Sequence, residues 1–172
     1  MKHAAKLPIK IDTSFFSEEL LAPHKKYVKL QKYAKGMDGV NFGSETLHIK
    51  NDADFINQLP NNLLALEKPY VFLLELPAAS VTNAVLPVHV DLNKTCGINV
   101  YLEASGEVTK FYRWDKEERK SHYVEEFCAE QNDVWLMDTS TPHSVELLLN
   151  TRRRMITFSF TKLKYAEVLA AL

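Results

Sequence analysis

The sequence predicts a mainly β chain: an eight-stranded, double-sheet barrel of jelly-roll type, with helices ahead of it. Two observations carry that expectation. From Pro69 onward the chain breaks into short β-like runs separated by turn residues, too closely spaced for crossover helices between parallel strands. Two of those runs also alternate in polarity, so apolar side chains share one strand face and polar ones the other.

The eight runs are YVFLLEL (70–76), VLPVHV (85–90), GINVYLE (97–103), EVTKFYR (107–113), HYVEEFCAE (122–130), DVWLMD (133–138), HSVELLL (143–149) and RMITFSF (154–160). A last segment, KLKYAEVLAAL, is expected to close one end as a helix over 163–172. The first 66 residues read as helical and irregular. Between Pro23 and Gly36, Tyr27, Leu30 and Tyr33 recur about every third residue, with proline at the start and glycine at the end. That pattern predicts a short amphipathic helix. Around 52–66, DADFINQLPNNLLALE predicts one or two helical turns interrupted by Pro60.

The whole is expected to be one domain. A chain of 172 residues is long enough to bury a sizeable core. Its 46% hydrophobic and 25% charged content is that of a globular protein rather than a disordered or fibrous one. A formal net charge of −1 provides no basic field for nucleic acid or an anionic membrane. Cys96 and Cys128 form neither a metal-type spacing nor a disulfide framework. The N-terminal stretch lacks an apolar signal core and no run approaches membrane-spanning length, so a cytoplasmic protein is expected. The oligomeric state is not legible.

Against this background LPVHVDLNKTCGINVYLE (86–103) stands out. His89 and Asp91, two residues apart, share a strand face, and a buried unpaired carboxylate costs several kcal/mol, on the order of a lost ionic hydrogen bond or more. A cationic partner is therefore expected. A hydrogen-bonded His–Asp pair at a strand end would be the plain explanation. His143 enlarges it: it opens a later strand, far enough along for the intervening strands to return it to the same end of a barrel. Two imidazoles and one carboxylate are the donors of the facial triad that holds non-haem Fe(II) with coordination positions left open. His3, His24, His48 and His122 have no such setting and are expected at the surface.

The strand 153–160 alternates in the same informative way. Ile156, Phe158 and Phe160 fall on one face, expected against the helices; Arg153, Met155, Thr157 and Ser159 fall on the other, expected toward the cavity. Parity thus selects Arg153 from the run Arg152-Arg153-Arg154, and a buried guanidinium needs a carboxylate or phosphate. In GINVYLE, Asn99 and Tyr101 make the polar face and should share that cavity.

HVD (89–91), PHSV (142–145) and RRRMITFSF (152–160), with VFLLELPAASVTNAVLPVHVD leading in and CGINVYLE following, together resemble the Fe(II)/2-oxoglutarate-dependent dioxygenases. The texture is similar to their prolyl-hydroxylase-like branch. The resemblance covers roughly 69–162 and implies a double-stranded β-helix, a cupin-like jelly roll. It implies Fe(II) held by His89, Asp91 and His143, with 2-oxoglutarate and O₂ as the other reactants. It also implies that Arg153, helped by the hydroxyls of Tyr101 and Thr157, binds the distal carboxylate of 2-oxoglutarate. Family spacing from His143 admits Arg152 and Arg154 as well.

The implied reaction is hydroxylation of a C–H bond in an amino-acid, peptidyl or small-metabolite substrate, with release of succinate and CO₂. Oxidative demethylation is the related outcome, and Asp91 argues against halogenation, whose enzymes give up the carboxylate. SGEV (105–108) stands where many relatives carry a Gly-Gly pair, a departure expected to alter the turn and touch no ligand. Tyr112, Arg113 and Trp114 are candidates for the entrance or for surface packing. The rival readings are a cupin-type metal protein that does not use 2-oxoglutarate, which the missing His-x-His pair disfavours, and a non-catalytic binding barrel.

Overall fold

The computed structural model describes residues 2–14, 27–28, 32–35, 41–43, 45–49, 53–76, 85–104, 106–146 and 153–172. Among these residues the chain forms thirteen strands and three short helices. The strands are β1 (Ala4–Lys6), β2 (Tyr27–Val28), β3 (Lys32–Lys35), β4 (Asn41–Gly43), β5 (Glu45–Ile49), β6 (Tyr70–Leu76), β7 (Val85–His89), β8 (Cys96–Glu103), β9 (Val108–Asp115), β10 (Lys120–Cys128), β11 (Val134–Met137), β12 (His143–Glu146) and β13 (Arg153–Phe160). The helices are α1 (Ala53–Ile56), α2 (Asn61–Leu66) and α3 (Tyr165–Ala171).

Each of the eight expected runs contains a strand, residues 147–149 of the seventh lying outside the described residues, and the strands divide between two antiparallel sheets. The larger has the order β1-β11-β8-β13-β6-β5-β2, the smaller β10-β9-β12-β7. From β6 to β13 the chain changes sheet at every step except the β9–β10 hairpin, the interleaving of a jelly roll. A separate pair joins β3 to β4.

The alternation read along β13 decides which layer each side chain enters. Ile156, Phe158 and Phe160 join Ile98 and Val100 of β8 in a core with Phe55, Ile56, Leu63 and Val168. This core lies between the larger sheet and the helices. Met155 turns the other way and packs with Tyr101, Phe111, Phe127 and Met137 in a second cluster between the sheets. β13 is central, with β6 on one side and β8 on the other, so its polar face has nowhere to go but inward. Phe158 is fully buried. Phe158→Ala is expected to cost about 3–5 kcal/mol of stability, read as a lowered urea midpoint with an unchanged slope; a loss below 1 kcal/mol would contradict its place in the core.

The N-terminal third departs from expectation. The helix predicted over Pro23–Gly36 is not present where the chain is described: Tyr27–Val28 and Lys32–Lys35 are strands. β2 pairs with β5, which extends the larger sheet beyond β6. The three-residue spacing is outweighed by Tyr and Val, which suit a pleated surface, and by a partner edge that satisfies the backbone. The rest of that predicted helix lies outside the described residues. The turns expected at 52–66 appear as α1 and α2, with Pro60 at the N-cap of α2 (φ −56°, ψ 137°). The C-terminal helix is α3, and it sets Val168 and Ala171 into the core. Cys96 is buried and Cys128 exposed, both as free thiols; burial pushes the Cys96 thiol up to about 12.

Candidate metal centre

His89 is the last residue of β7 and His143 the first of β12. Antiparallel pairing puts them opposite one another in the ladder, and their rings lie 4.4 Å apart between centroids, tilted by 51°. Asp91 follows two residues beyond β7, where its backbone N–H donates to the Thr139 carbonyl at 3.1 Å. That bond returns the carboxylate to the two imidazoles. One ligand atom from each of His89, Asp91 and His143 lies within 4.8 Å of the others.

The protonation pattern follows from the neighbours. His89 Nδ1 lies 2.7 Å from the Pro87 carbonyl and His143 Nδ1 lies 2.9 Å from the Thr141 carbonyl. A carbonyl oxygen can only accept, so both rings carry hydrogen on Nδ1 and turn a lone pair at Nε2 toward the cluster. Metal-bound imidazoles are oriented in this way. Lys94 is the cation the buried carboxylate called for: its Nζ contacts Asp91 Oδ2 at 3.3 Å, while Oδ1 lies 3.8 Å from His89 Nε2. Lys94 is itself positioned over the Phe72 ring, 4.4 Å from its centroid. Burial opposes the charge on Asp91, but Lys94 and then the two imidazoles outweigh it and hold the carboxyl below its usual range.

Burial lowers His143 to about 4, so its imidazole is neutral near pH 7 and its lone pair is available. The unfolded chain takes up this proton near the ordinary value of 6.5, and the folded chain only near 4. Between those values the unfolded state binds more protons, and stability therefore falls as pH drops. Metal-free protein is expected to lose about 2–3 kcal/mol between pH 7 and 4.5 from this residue. Urea denaturation at the two pH values measures it, and His143→Gln should flatten the loss; an equal loss in that variant would assign it elsewhere.

The second half of the site lies deeper on the inner face of the larger sheet. Arg153 opens β13 with only 4% of its surface exposed. Its Nη2 donates to the Tyr101 hydroxyl at 3.1 Å. Thr157 lies on the same face, opposite Asn99 in the ladder, and Thr157 Oγ1 and Asn99 Oδ1 are buried without a hydrogen-bond partner among the described residues. Tyr101 shares its cluster with Phe111, whose ring lies 5.9 Å from that of His143. The arginine end and the histidine end therefore face one interior. Arg154 takes the other direction, with Nη1 3.8 Å from Glu103, and Arg152 lies outside the described residues.

One further residue meets Arg153. Glu107 is 2% exposed, and its Oε1 lies 3.2 Å from Arg153 Nε. The nitrogen does not aim its hydrogen along that line, so the contact is an ion pair rather than an aligned hydrogen bond. The departure at SGEV (105–108), expected to affect only a turn, thus reaches the site. Its signal was present in the sequence: Glu107, just ahead of β9, alternates with Thr109 and Phe111 of that strand, and all three are buried. Lys94 was within reach of the same kind of reading, three residues after Asp91. His3 was not. Expected at the surface, it is part-buried, stacks on Phe111 at 5.7 Å and bonds Asp138 and Thr141. That placement comes from the pairing of β1 with β11, more than 130 residues away.

His122, also expected at the surface, is half-buried beside Glu118 at 3.2 Å, in a second group with Asp115. There the Asp115 carboxylate accepts the backbone N–H groups of Glu117 and Glu118, an ordinary turn between β9 and β10. The side chains of His24 and His48 lie outside the description. Of the entrance candidates, Tyr112 turns away from Phe111 and bonds the Ser144 hydroxyl at 3.0 Å, whereas Arg113 and Trp114 are exposed. No helix among the described residues is long and apolar enough to cross a membrane.

Fold and site together define the class: a double-stranded β-helix with two histidines and an aspartate gathered at one end of its interior. Comparison with solved structures shows that several proteins of known structure share this fold. The chain is similar to a prolyl-4-hydroxylase from Pseudomonas putida, at TM-score 0.57 and 13% identity over 94% of both chains. It is also similar to SnoN, a non-haem alpha-ketoglutarate-dependent epimerase from nogalamycin biosynthesis, at TM-score 0.56 and 13% identity over 90% of this chain and 76% of that one. An oxidoreductase of the 2OG-Fe(II) oxygenase family from Burkholderia pseudomallei aligns at TM-score 0.50 and 10% identity, over 94% and 86%. No family model and no curated protein matches the sequence.

Proposed function

We propose that this chain is a non-haem Fe(II) dioxygenase that takes a 2-oxo acid as cosubstrate and hydroxylates a C–H bond of an amino-acid, peptidyl or small-metabolite substrate. The observation that carries this reading is the preset tautomer of His89 and His143 around Asp91. Two Nε2 lone pairs and one carboxylate oxygen suit an octahedral iron with one open face.

The residues divide the work. His89, Asp91 and His143 would hold the metal, and Lys94, engaged with Oδ2, leaves Oδ1 to do the binding. Bound there, the iron supplies the activation of O₂ that a C–H oxidation requires. Tyr101, Phe111, Met137 and Met155 form the dry wall between the sheets, keeping water from the reaction. Arg153, Tyr101 and Thr157 are of the right kind to receive the far end of the cosubstrate. Glu107 already contacts the guanidinium, so a doubly charged 2-oxo acid would have to share Arg153 with it.

Anaerobic addition of Fe(II) and then a 2-oxo acid tests the reading. A visible charge-transfer absorption should appear, and O₂ should then be consumed with loss of CO₂ from the acid. A protein that binds iron yet develops no such absorption with any 2-oxo acid would be a cupin-type metal protein instead. A succinate-release or CO₂-release screen over free amino acids, peptides and small metabolites would then identify the substrate.

A further inference from the structure

The contact between Arg153 and Glu107 bears on which 2-oxo acid the site accepts. Arg153 is 4% exposed and Glu107 2%. A guanidinium buried to that degree needs a carboxylate, and here the chain supplies one. The charge that would recognise a distal carboxylate is met before any ligand arrives. A second carboxylate brought to this place would lie beside Glu107 in a low-dielectric interior, where like charges repel strongly. An apolar cluster lies beside the pair: Met155, Met137, Phe111 and Tyr101, with Leu74 packed against them. Thr157 Oγ1, Asn99 Oδ1 and, further along β13, Ser159 Oγ are neutral polar atoms on that face, and Thr109 is a neutral buried residue of β9.

We infer that Glu107 acts as a built-in substitute for the distal carboxylate, so that the site selects a monocarboxylic 2-oxo acid with an uncharged, apolar tail and disfavours 2-oxoglutarate. Glu107 is thus a specificity-determining residue for the cosubstrate. The inference rests on the reading of His89, Asp91 and His143 as an iron site that uses a 2-oxo acid. It also gives the departure at 105–108 a chemical role: a residue with no side chain there would leave the guanidinium to the ligand, and a glutamate claims it.

The test is a pair of anaerobic titrations of the Fe(II)-loaded protein, followed by the charge-transfer absorption. One ligand is 2-oxoglutarate. The other is 5-methyl-2-oxohexanoate, which carries an isopropyl group in place of the distal carboxylate. The native protein is expected to half-saturate with the isopropyl acid at a concentration at least tenfold below that for 2-oxoglutarate. Glu107→Gln and Glu107→Gly should reverse the order by freeing Arg153 for the dicarboxylic acid. Native protein that binds 2-oxoglutarate as tightly as the isopropyl acid, or more tightly, overturns the inference without need of any variant. So does an unchanged ratio in folded Glu107→Gln. Cobalt(II) absorption separates this from the parent reading: cobalt bound by the three ligands with no band from either acid overturns the use of a 2-oxo acid, and the present inference with it.

Discussion

Asp91→Ala is expected to abolish Fe(II) binding and all oxidation that depends on it, while the barrel stays folded. The variant removes the sole anionic donor of the cluster and leaves two imidazoles beside the Lys94 ammonium, a set with no negative charge to hold a dication. Removal of a mere supporting hydrogen bond at such sites weakens metal binding by about 10–100-fold, and loss of the carboxylate itself should exceed that range. His89→Ala and His143→Ala should follow. Cobalt(II) or anaerobic Fe(II) titration measures the binding, and circular dichroism shows whether the fold is kept. Asp91 sits beyond the end of β7 and is not among the core residues, so its truncation leaves the packing intact. Unimpaired metal binding by folded Asp91→Ala would remove the iron site from consideration.

The second large effect belongs to Arg153. Taking one partner from a buried ion pair costs about 3–5 kcal/mol, because the other charge keeps its desolvation penalty. Arg153→Met should therefore lower the urea midpoint strongly, and Arg153→Met combined with Glu107→Gln should recover most of the loss, since the charge is then gone from both sides. Arg154→Ala provides the contrast. Its partner Glu103 is 41% exposed, and an ion pair open to solvent on one side is worth about 0–1 kcal/mol. If Arg154→Ala proved the more damaging of the two, the assignment of faces along β13 would be wrong. The same pair of variants separates architecture from ligand recognition: Arg153→Met with Glu107→Gln is expected to fold yet to distinguish poorly between the two 2-oxo acids.

Much of this was legible in residue order. The alternation of Ile156, Phe158 and Phe160 with Arg153, Met155 and Thr157 determined which residues face the helices and which the interior, because side chains on a strand reverse at every step. The same rule put Asn99 and Tyr101 inside, and the structure packs Tyr101 with Met155 and against Arg153. A bulge between Arg154 and Met155 shifts the pairing with β8 by one residue without disturbing these faces. The eight core strands were readable for a related reason: each buries a face of its own, so its pattern is local.

Other features required the folded chain. At Pro23–Gly36 a helical spacing yields to strand pairing, since a short amphipathic helix has little stability of its own and a neighbouring sheet edge offers backbone partners. His3 reaches the site because β1 joins the edge of the larger sheet, and no local pattern encodes a partner so distant in the chain. Strand alternation alone determined that His89, Tyr101 and Arg153 turn inward. Only the tertiary structure decided that His143 stands opposite His89 and that Glu107 meets Arg153. The physical reason is that a strand's own sequence sets which way each side chain points, whereas the identity of what it meets depends on which strand the fold places across from it.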